Sequence, residues 1–419
     1  MCAEENDFAA LVVPRFLRYV KIWTTSDRRM EETPSSPGQW DLAKLLVEEL
    51  AELGIDRELT SHCYVIARLP ASPGFEAKPA VGFLAHLDTA QDVSGKHVKP
   101  VFVEKYDGKK IALGPPGTGE VPCLDPKTDS GLAAQKGKAI IHTDGNTLLG
   151  ADDKAGIAEI MGAAEYILSH PEIKHGPLEI VFSPDEETGK GLPFFPLEKC
   201  SARVCYTLDG GALGEFEAEC FNAWAAQLRF SGKAIHLGQA RGTLANACLM
   251  AASFAVMLPR PESPEATDGY YGYYCPTEIK GSLESAELEV YIRDFDSSRA
   301  RERIEALNVF ARAVEAQFPG GKVTVDAKMQ YCNMKEKIDR SPEVLSKLKE
   351  AAGRTRIEFT LKPIRGGTDG SKLTEMGIPT PNIFTGGRNF HSVCEWVSVC
   401  DMAAACALIV ELVKVWADC

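Results

Sequence analysis

Two histidines and a set of carboxylates recur in one local setting along this chain, each after a short apolar run. His86 and Asp88 follow the run at 79–85, and Asp152 and Asp153 follow Thr147-Leu-Leu-Gly150. Glu186 and Glu187 come after the run at 178–182, Asp209 after 204–208, and His391 after 381–384. Two imidazoles with this many carboxylates suit zinc, or manganese or cobalt in its place, and are too rich in oxygen for a structural thiolate site. In the His-x-Asp unit, residues two apart on an extended chain point the same way, so Asp88 can accept the second ring N–H of His86. Adjacent glutamates project differently, so one of Glu186 and Glu187 can bind metal while the other takes a proton from water. Each piece alone has a plainer reading, Asp-Asp as a helix cap and Glu-Glu as a solvated acidic loop. It is the set, always at the end of an apolar run, that argues for chemistry.

The elements that must position these groups are legible as patterns. Residues 8–22 and 40–53 read as amphipathic helices, and the period of Ile157, Ile160, Met161, Ala164, Ile167 and Leu168 predicts a helix opening at Asp152. Apolar runs of strand length alternating with such helices imply an α/β fold, with a mostly parallel sheet and helices on both faces. Ligands then bind beyond the carboxyl ends of the strands, where the candidate residues lie. Residues 221–331 read differently: strand, helix, two strands joined by a short turn, helix, strand. That βαββαβ order is ferredoxin-like. The expected division is a catalytic domain of 1–220 and 332–419 with an inserted domain of 221–331. Residues 91–140, rich in Gly, Pro and Lys, carry little assignable chemistry beyond strand-like pieces such as 98–103.

Composition bounds the reading. At 419 residues the chain calls for two domains, and its net charge of −13 argues against nucleic acid or an anionic membrane as partner. No apolar stretch reaches 18 residues, and the first seven residues lack the features of a signal peptide. Thirteen cysteines, odd in number and without Cys-x-x-Cys pairs, fit reduced thiols in a cytoplasmic protein.

Six stretches carry a resemblance: Ala85-His-Leu-Asp-Thr89, 147–156, Pro184-Asp-Glu-Glu-Thr-Gly-Lys-Gly191, Leu208-Asp-Gly-Gly211, Pro363-Ile-Arg-Gly-Gly-Thr-Asp-Gly370 and Pro381-Asn-Ile-Phe-Thr-Gly-Gly387. Together they resemble the peptidase T family of tripeptide aminopeptidases. That family belongs to a two-zinc superfamily with carboxypeptidase G and the acetylornithine and succinyl-diaminopimelate deacylases. The resemblance runs from Arg15 to the last helix and implies two zinc ions bridged by Asp152. It further implies that His86 and Asp209 complete one site, Glu187 and His391 the other. Glu186 is then the general base, Asp88 orients His86, and the Asp152–Asp153 peptide is cis. The inserted domain becomes a lid through which the family pairs into homodimers, with His236 reaching the active site of a partner subunit and polarising the scissile carbonyl. Asn222, Arg293 and Arg365 match positions that hold the peptide backbone or its terminal carboxylate, a task suited to a planar guanidinium.

Two departures stand out. The family's His-Pro-Gly is His236-Leu-Gly238 here, and its Gly-Lys-His-Glu is Ser392-Val-Cys-Glu395. The expectation is a metallo-aminopeptidase releasing the first residue of tripeptides. An N-acyl amino acid deacylase or carboxypeptidase of the same superfamily is the alternative, and a non-catalytic metal-binding relative stands in a different class.

Overall fold

The computed structural model describes residues 3–114 and 121–418, so part of the stretch at 91–140 and the first two residues of the amino terminus read above lie outside the described residues. The chain forms two compact units. The first runs to Ala218 and resumes at Glu336–Lys362 and from Thr368 onward; the second is Glu219–Lys335 with Pro363–Gly367.

An eight-stranded sheet organises the first unit. Its order is Asp56–Leu59, Val65–Leu69, Leu178–Ser183, Val81–His86, Val204–Gly210, Asn382–Phe384, Glu215–Cys220, Thr360–Ile364. The four central strands run parallel, and those of Val65–Leu69 and Glu215–Cys220 flank them antiparallel. The expected parallel sheet is thus the middle of a mixed one. Strand alternation sorts its side chains onto two faces. Phe83, Ala85, Ile180 and Phe182 enter a large core with the long helices Ala3–Tyr19, Ala151–Ser169 and Val399–Ala417. Leu84 and Val181 point the other way, into a smaller core completed by Phe195 and by Leu373 of the helix Asp369–Glu375. Each fully buried Leu, Ile or Phe contributes roughly 1.5–3 kcal/mol of transfer free energy, so the larger face supplies most of the unit's stability.

A second, four-stranded sheet pairs Gly387–Arg388, Trp396–Ser398, Ile140–His142 and Val101–Val103 in that order. Its first two strands bracket the loop that carries His391. Residues 98–103 and the end of 91–140 therefore have a positioning role that their composition does not announce.

The second unit is an antiparallel sheet in the order Tyr273–Gly281, Ser285–Asp294, Asn222–Ser231, Lys322–Tyr331. With the helices Ala247–Met257 and Ser297–Gln317, it has the βαββαβ order expected from the sequence. Asn246 and Asp296 cap those helices, each accepting two backbone N–H groups. Leu228, Phe230, Leu288, Val290 and Ile292 meet the helices in a separate core, while Arg229, Glu287 and Lys328 face solvent.

Candidate metal centre

Three strand ends and one helix start bring the site together. The strand Val81–His86 delivers His86, and Asp88 follows it fully buried. Asp209 lies near the end of Val204–Gly210. Asp152 and Asp153 sit in the first turn of Ala151–Ser169 with non-helical dihedrals and a cis peptide between them. The helix start presses closely on the Asp209 strand, since a Cβ at Gly156 would lie 2.0 Å from the Leu208 carbonyl oxygen. Only glycine permits that approach. After Leu178–Ser183 the chain turns through Asp185 in the left-handed region (φ 57°), then presents Glu186 and Glu187.

The donors converge. His86 Nε2 lies 2.9 Å from Asp152 Oδ1 and 3.7 Å from Asp209 Oδ1. His391 Nε2 lies 3.2 Å from Asp152 Oδ2 and 3.0 Å from Glu187 Oε1. Asp152 is shared, one oxygen to each side. His86, Asp152 and Asp209 form one group, and Asp152, Glu187 and His391 another, with ligand atoms in each within 4.8 Å of one another. Among the described residues Glu187 Oε1 is buried without a hydrogen-bond partner, although His391 Nε2 stands 3.0 Å away. A carboxylate oxygen aimed into such a cluster with nothing donating to it is what a divalent cation satisfies. The residues fit two such ions.

Electrostatics follow the same crowding. Burial pushes the carboxyls of Glu186 and Asp209 above their ordinary values, and that of Glu187 to about 7. For Asp152, burial is outweighed by the hydrogen bonds of His391 and His86, which hold it well below the usual carboxylate range. His391 is pushed up to about 11 by the carboxylates of Asp152 and Glu187 beside its Nε2.

Supporting groups hold the frame. Asp88 accepts the backbone N–H groups of Glu186 (3.0 Å) and Glu187 (3.2 Å), while its Oδ1 stands 3.3 Å from His86 Nδ1 at an angle outside hydrogen-bond geometry. Asp88 thus orients the glutamate pair at least as firmly as it does the histidine, a role the His-x-Asp spacing alone does not reveal. Asp153 Oδ2 accepts the backbone N–H of His86 (3.0 Å). Three further residues were not legible beforehand. Asp185 accepts from the Ser35 amide and hydroxyl and from Gln39, pinning the turn before Glu186. Asp92 Oδ2 lies 3.3 Å from His391 Nδ1, and Glu395 accepts the amide N–H of Asp152 at 3.2 Å. Asp185 stood within the motif at 184–191 and Glu395 beside the Ser392-Val-Cys departure; Asp92 had no signal.

The other expected residues lie in the second unit. His236 is exposed, and its Nδ1 accepts the Gly238 N–H at 3.2 Å, so it caps a short turn where Leu237 is exposed. Asn222 donates to the carbonyls of Asp294 and Phe295 and accepts the Asn333 N–H. Arg293 donates to the carbonyls of Trp224 and Ile292 and lies over the ring of Tyr291. Arg365 donates to the carbonyls of Gly269, Tyr271 and Thr267 and lies over Phe221. Neither arginine makes a salt bridge among the described residues.

A parallel-centred α/β sheet with a carboxylate–histidine cluster at its strand ends is the frame of a metal-dependent hydrolase. Residues 142–415 match the model of peptidase family M20/M25/M40, and the chain belongs to that family. It is 46% identical to Peptidase T of Clostridium perfringens over 405 residues, covering 96% of this chain and 98% of that protein. Its fold is that of the aminopeptidase PepT from Bacillus cereus, with a TM-score of 0.74 at 21% identity over 98% of this chain and 99% of that one. A dinuclear metal-binding peptidase of the M20 family from Bacillus subtilis shares the fold at a TM-score of 0.65 and 14% identity, over 98% of both chains.

Proposed function

We propose that this protein is a tripeptide aminopeptidase that works with two divalent metal ions. One observation carries the reading: a chain matching Peptidase T over 96% of its length retains both donor groups around a shared Asp152. His86, Asp152 and Asp209 would hold one ion, and Asp152, Glu187 and His391 the other. The donor types favour zinc, with manganese or cobalt as substitutes. Bound ions supply an acidified water and a polarised carbonyl.

Glu186 takes the proton of the attacking water and returns it to the leaving amine; its burial, which raises its proton affinity, suits both halves of that task. Asp88 keeps Glu186 and Glu187 in place through their amides and faces the outer nitrogen of His86. His236 donates to the developing oxyanion. Asn222, Arg293 and Arg365 hold the substrate's backbone or terminal carboxylate, and that closed end sets the limit at three residues.

In this reading residues 1–220 and 332–419 form the catalytic domain and 221–331 a lid. The helix Ala247–Met257 contains no charged residue yet leaves Leu249 56% and Val256 84% exposed. That unpaired apolar face supports a homodimer formed through the lid. We place the protein in the cytoplasm, in keeping with reduced thiols at the described cysteines.

A panel of free, N-acetylated and C-amidated di- and tripeptides, assayed with and without chelator, tests the proposal. Free Ala-Ala-Ala should lose its first residue, the N-acetylated form should be inert, and chelator should abolish turnover. Hydrolysis of N-acyl amino acids with free tripeptides untouched would make the protein a deacylase or carboxypeptidase. Metal binding without turnover of any member would make it a non-catalytic relative.

A further inference from the structure

We propose that Glu395 is a positioning residue that locks the Asp152 turn to the His391 loop, and that this lock is complete before metal binds. The inference rests on the two-metal reading for its consequence, although the lock itself consists of protein groups alone.

A helix start leaves its first backbone N–H groups without partners. At the start of Ala151–Ser169 the cap position is Gly150, which has no side chain to accept them. Glu395, more than 240 residues away in sequence, does so instead. Its Oε2 accepts the amides of Leu149 (2.7 Å) and Gly150 (2.8 Å), and its Oε1 those of Ala151 (2.7 Å) and Asp152 (3.2 Å). Four consecutive donors thus fall on one carboxylate that is 1% exposed.

The same loop carries His391. It lies between Gly387–Arg388 and Trp396–Ser398, which pair with each other and, through the latter, with Ile140–His142. The Trp396 indole donates to Asp129 at 2.9 Å, fixing the chain directly after Glu395. Asp152 is therefore held at its backbone by Glu395 and met at its side chain by His391, from two positions four residues apart. The separation between the Asp152 and His391 donors is set by this loop. Asp209 and Glu187 arrive on other elements, so the group most dependent on Glu395 is Asp152, Glu187 and His391.

The test is Glu395→Gln, which keeps the volume but turns an N–H toward N–H donors and leaves two of the four buried amides unpaired. Metal-free protein is first checked by far-UV circular dichroism, then titrated with zinc against a chromogenic chelator. Lost outer-shell support typically weakens metal affinity roughly 10–100-fold. The variant should accordingly bind one zinc nearly as the parent does and the second 10–100-fold more weakly. A folded variant with two unchanged affinities would overturn the proposal. Hydrogen exchange on the unaltered protein gives a second measurement should the variant not fold. The amides of residues 149–152 should be equally protected with and without zinc, and free exchange in the metal-free protein would refute the lock. If the parent itself binds fewer than two zinc ions, the two-metal reading fails, while the exchange result still decides whether Glu395 holds the turn.

Discussion

The strand Leu178–Ser183 has a buried glutamate at one end and a glutamate pair just beyond the other, and the two ends treat their carboxylates oppositely. At its start, Glu179 accepts from the Ser201 amide (2.8 Å) and hydroxyl (2.6 Å), the Ala202 amide (3.1 Å) and the Cys200 thiol (3.1 Å). Burial pushes its carboxyl up, yet those donors prevail and hold it below its ordinary value. Beyond the other end, burial pushes Glu186 and Glu187 up and the neighbouring histidines do not outweigh it, and Glu187 Oε1 has no hydrogen-bond partner among the described residues. The residue type and the strand are the same; the supply of donors differs. Where donors are plentiful, a buried carboxylate is a fastening of the fold. Where they are withheld, its lone pairs remain available to a cation or a proton, and the fold bears that cost for the sake of chemistry.

Four changes would break or sharpen this contrast. Asp152→Ala should have the largest effect, since its carboxylate faces both histidines. Metal content should fall from two ions per chain toward none and activity should vanish with it; full occupancy in that variant would remove Asp152 from its bridging role. Next comes the glutamate pair. Glu186→Gln should retain metal but lose roughly 10²–10⁴-fold in kcat, the scale of an absent general base. Glu187→Gln should lose metal first, and the opposite pattern would exchange their roles.

The smallest effect belongs to the other end of the strand. Glu179→Gln should leave peptidase activity intact and destabilise the fold by about 1.5–3 kcal/mol at neutral pH, the range for hydrogen bonds to a charged group. Because the folded carboxyl titrates below its unfolded value, this stabilisation is complete above the unfolded carboxylate pKa of about 4.3 and is lost as pH falls through the folded one. Chemical denaturation of both proteins should therefore show a gap that closes on acidification. A gap independent of pH would mean that Glu179 acts by shape and not by charge.

The sequence by itself determined the class of fold, and it singled out the residues we propose carry the chemistry. Apolar runs ending in His86, Glu186 and Asp209 announce strand ends, because burial on both faces of a sheet requires continuous apolar residues and a turn must follow. The βαββαβ order of the second unit was legible for a similar reason: Ala223–Phe230 and Ala286–Asp294 bury one face and leave the other in water. These are local signals, written within ten or twenty residues.

Only the tertiary structure decided what each polar group is fastened to. No periodicity links Glu395 to the amides of 149–152, Asp92 to His391, or Asp185 to Ser35. The strand 101–103 likewise became meaningful only by pairing with Ile140–His142 in the sheet behind the His391 loop. Arg293 and Arg365 are expected from the sequence at positions that hold substrate, yet each also donates to backbone carbonyls brought near by folding. Apolar burial imposes a repeat on the chain because it acts on whole faces. A buried polar atom needs one partner at about 3 Å, and any residue the fold brings there will serve, however distant in sequence.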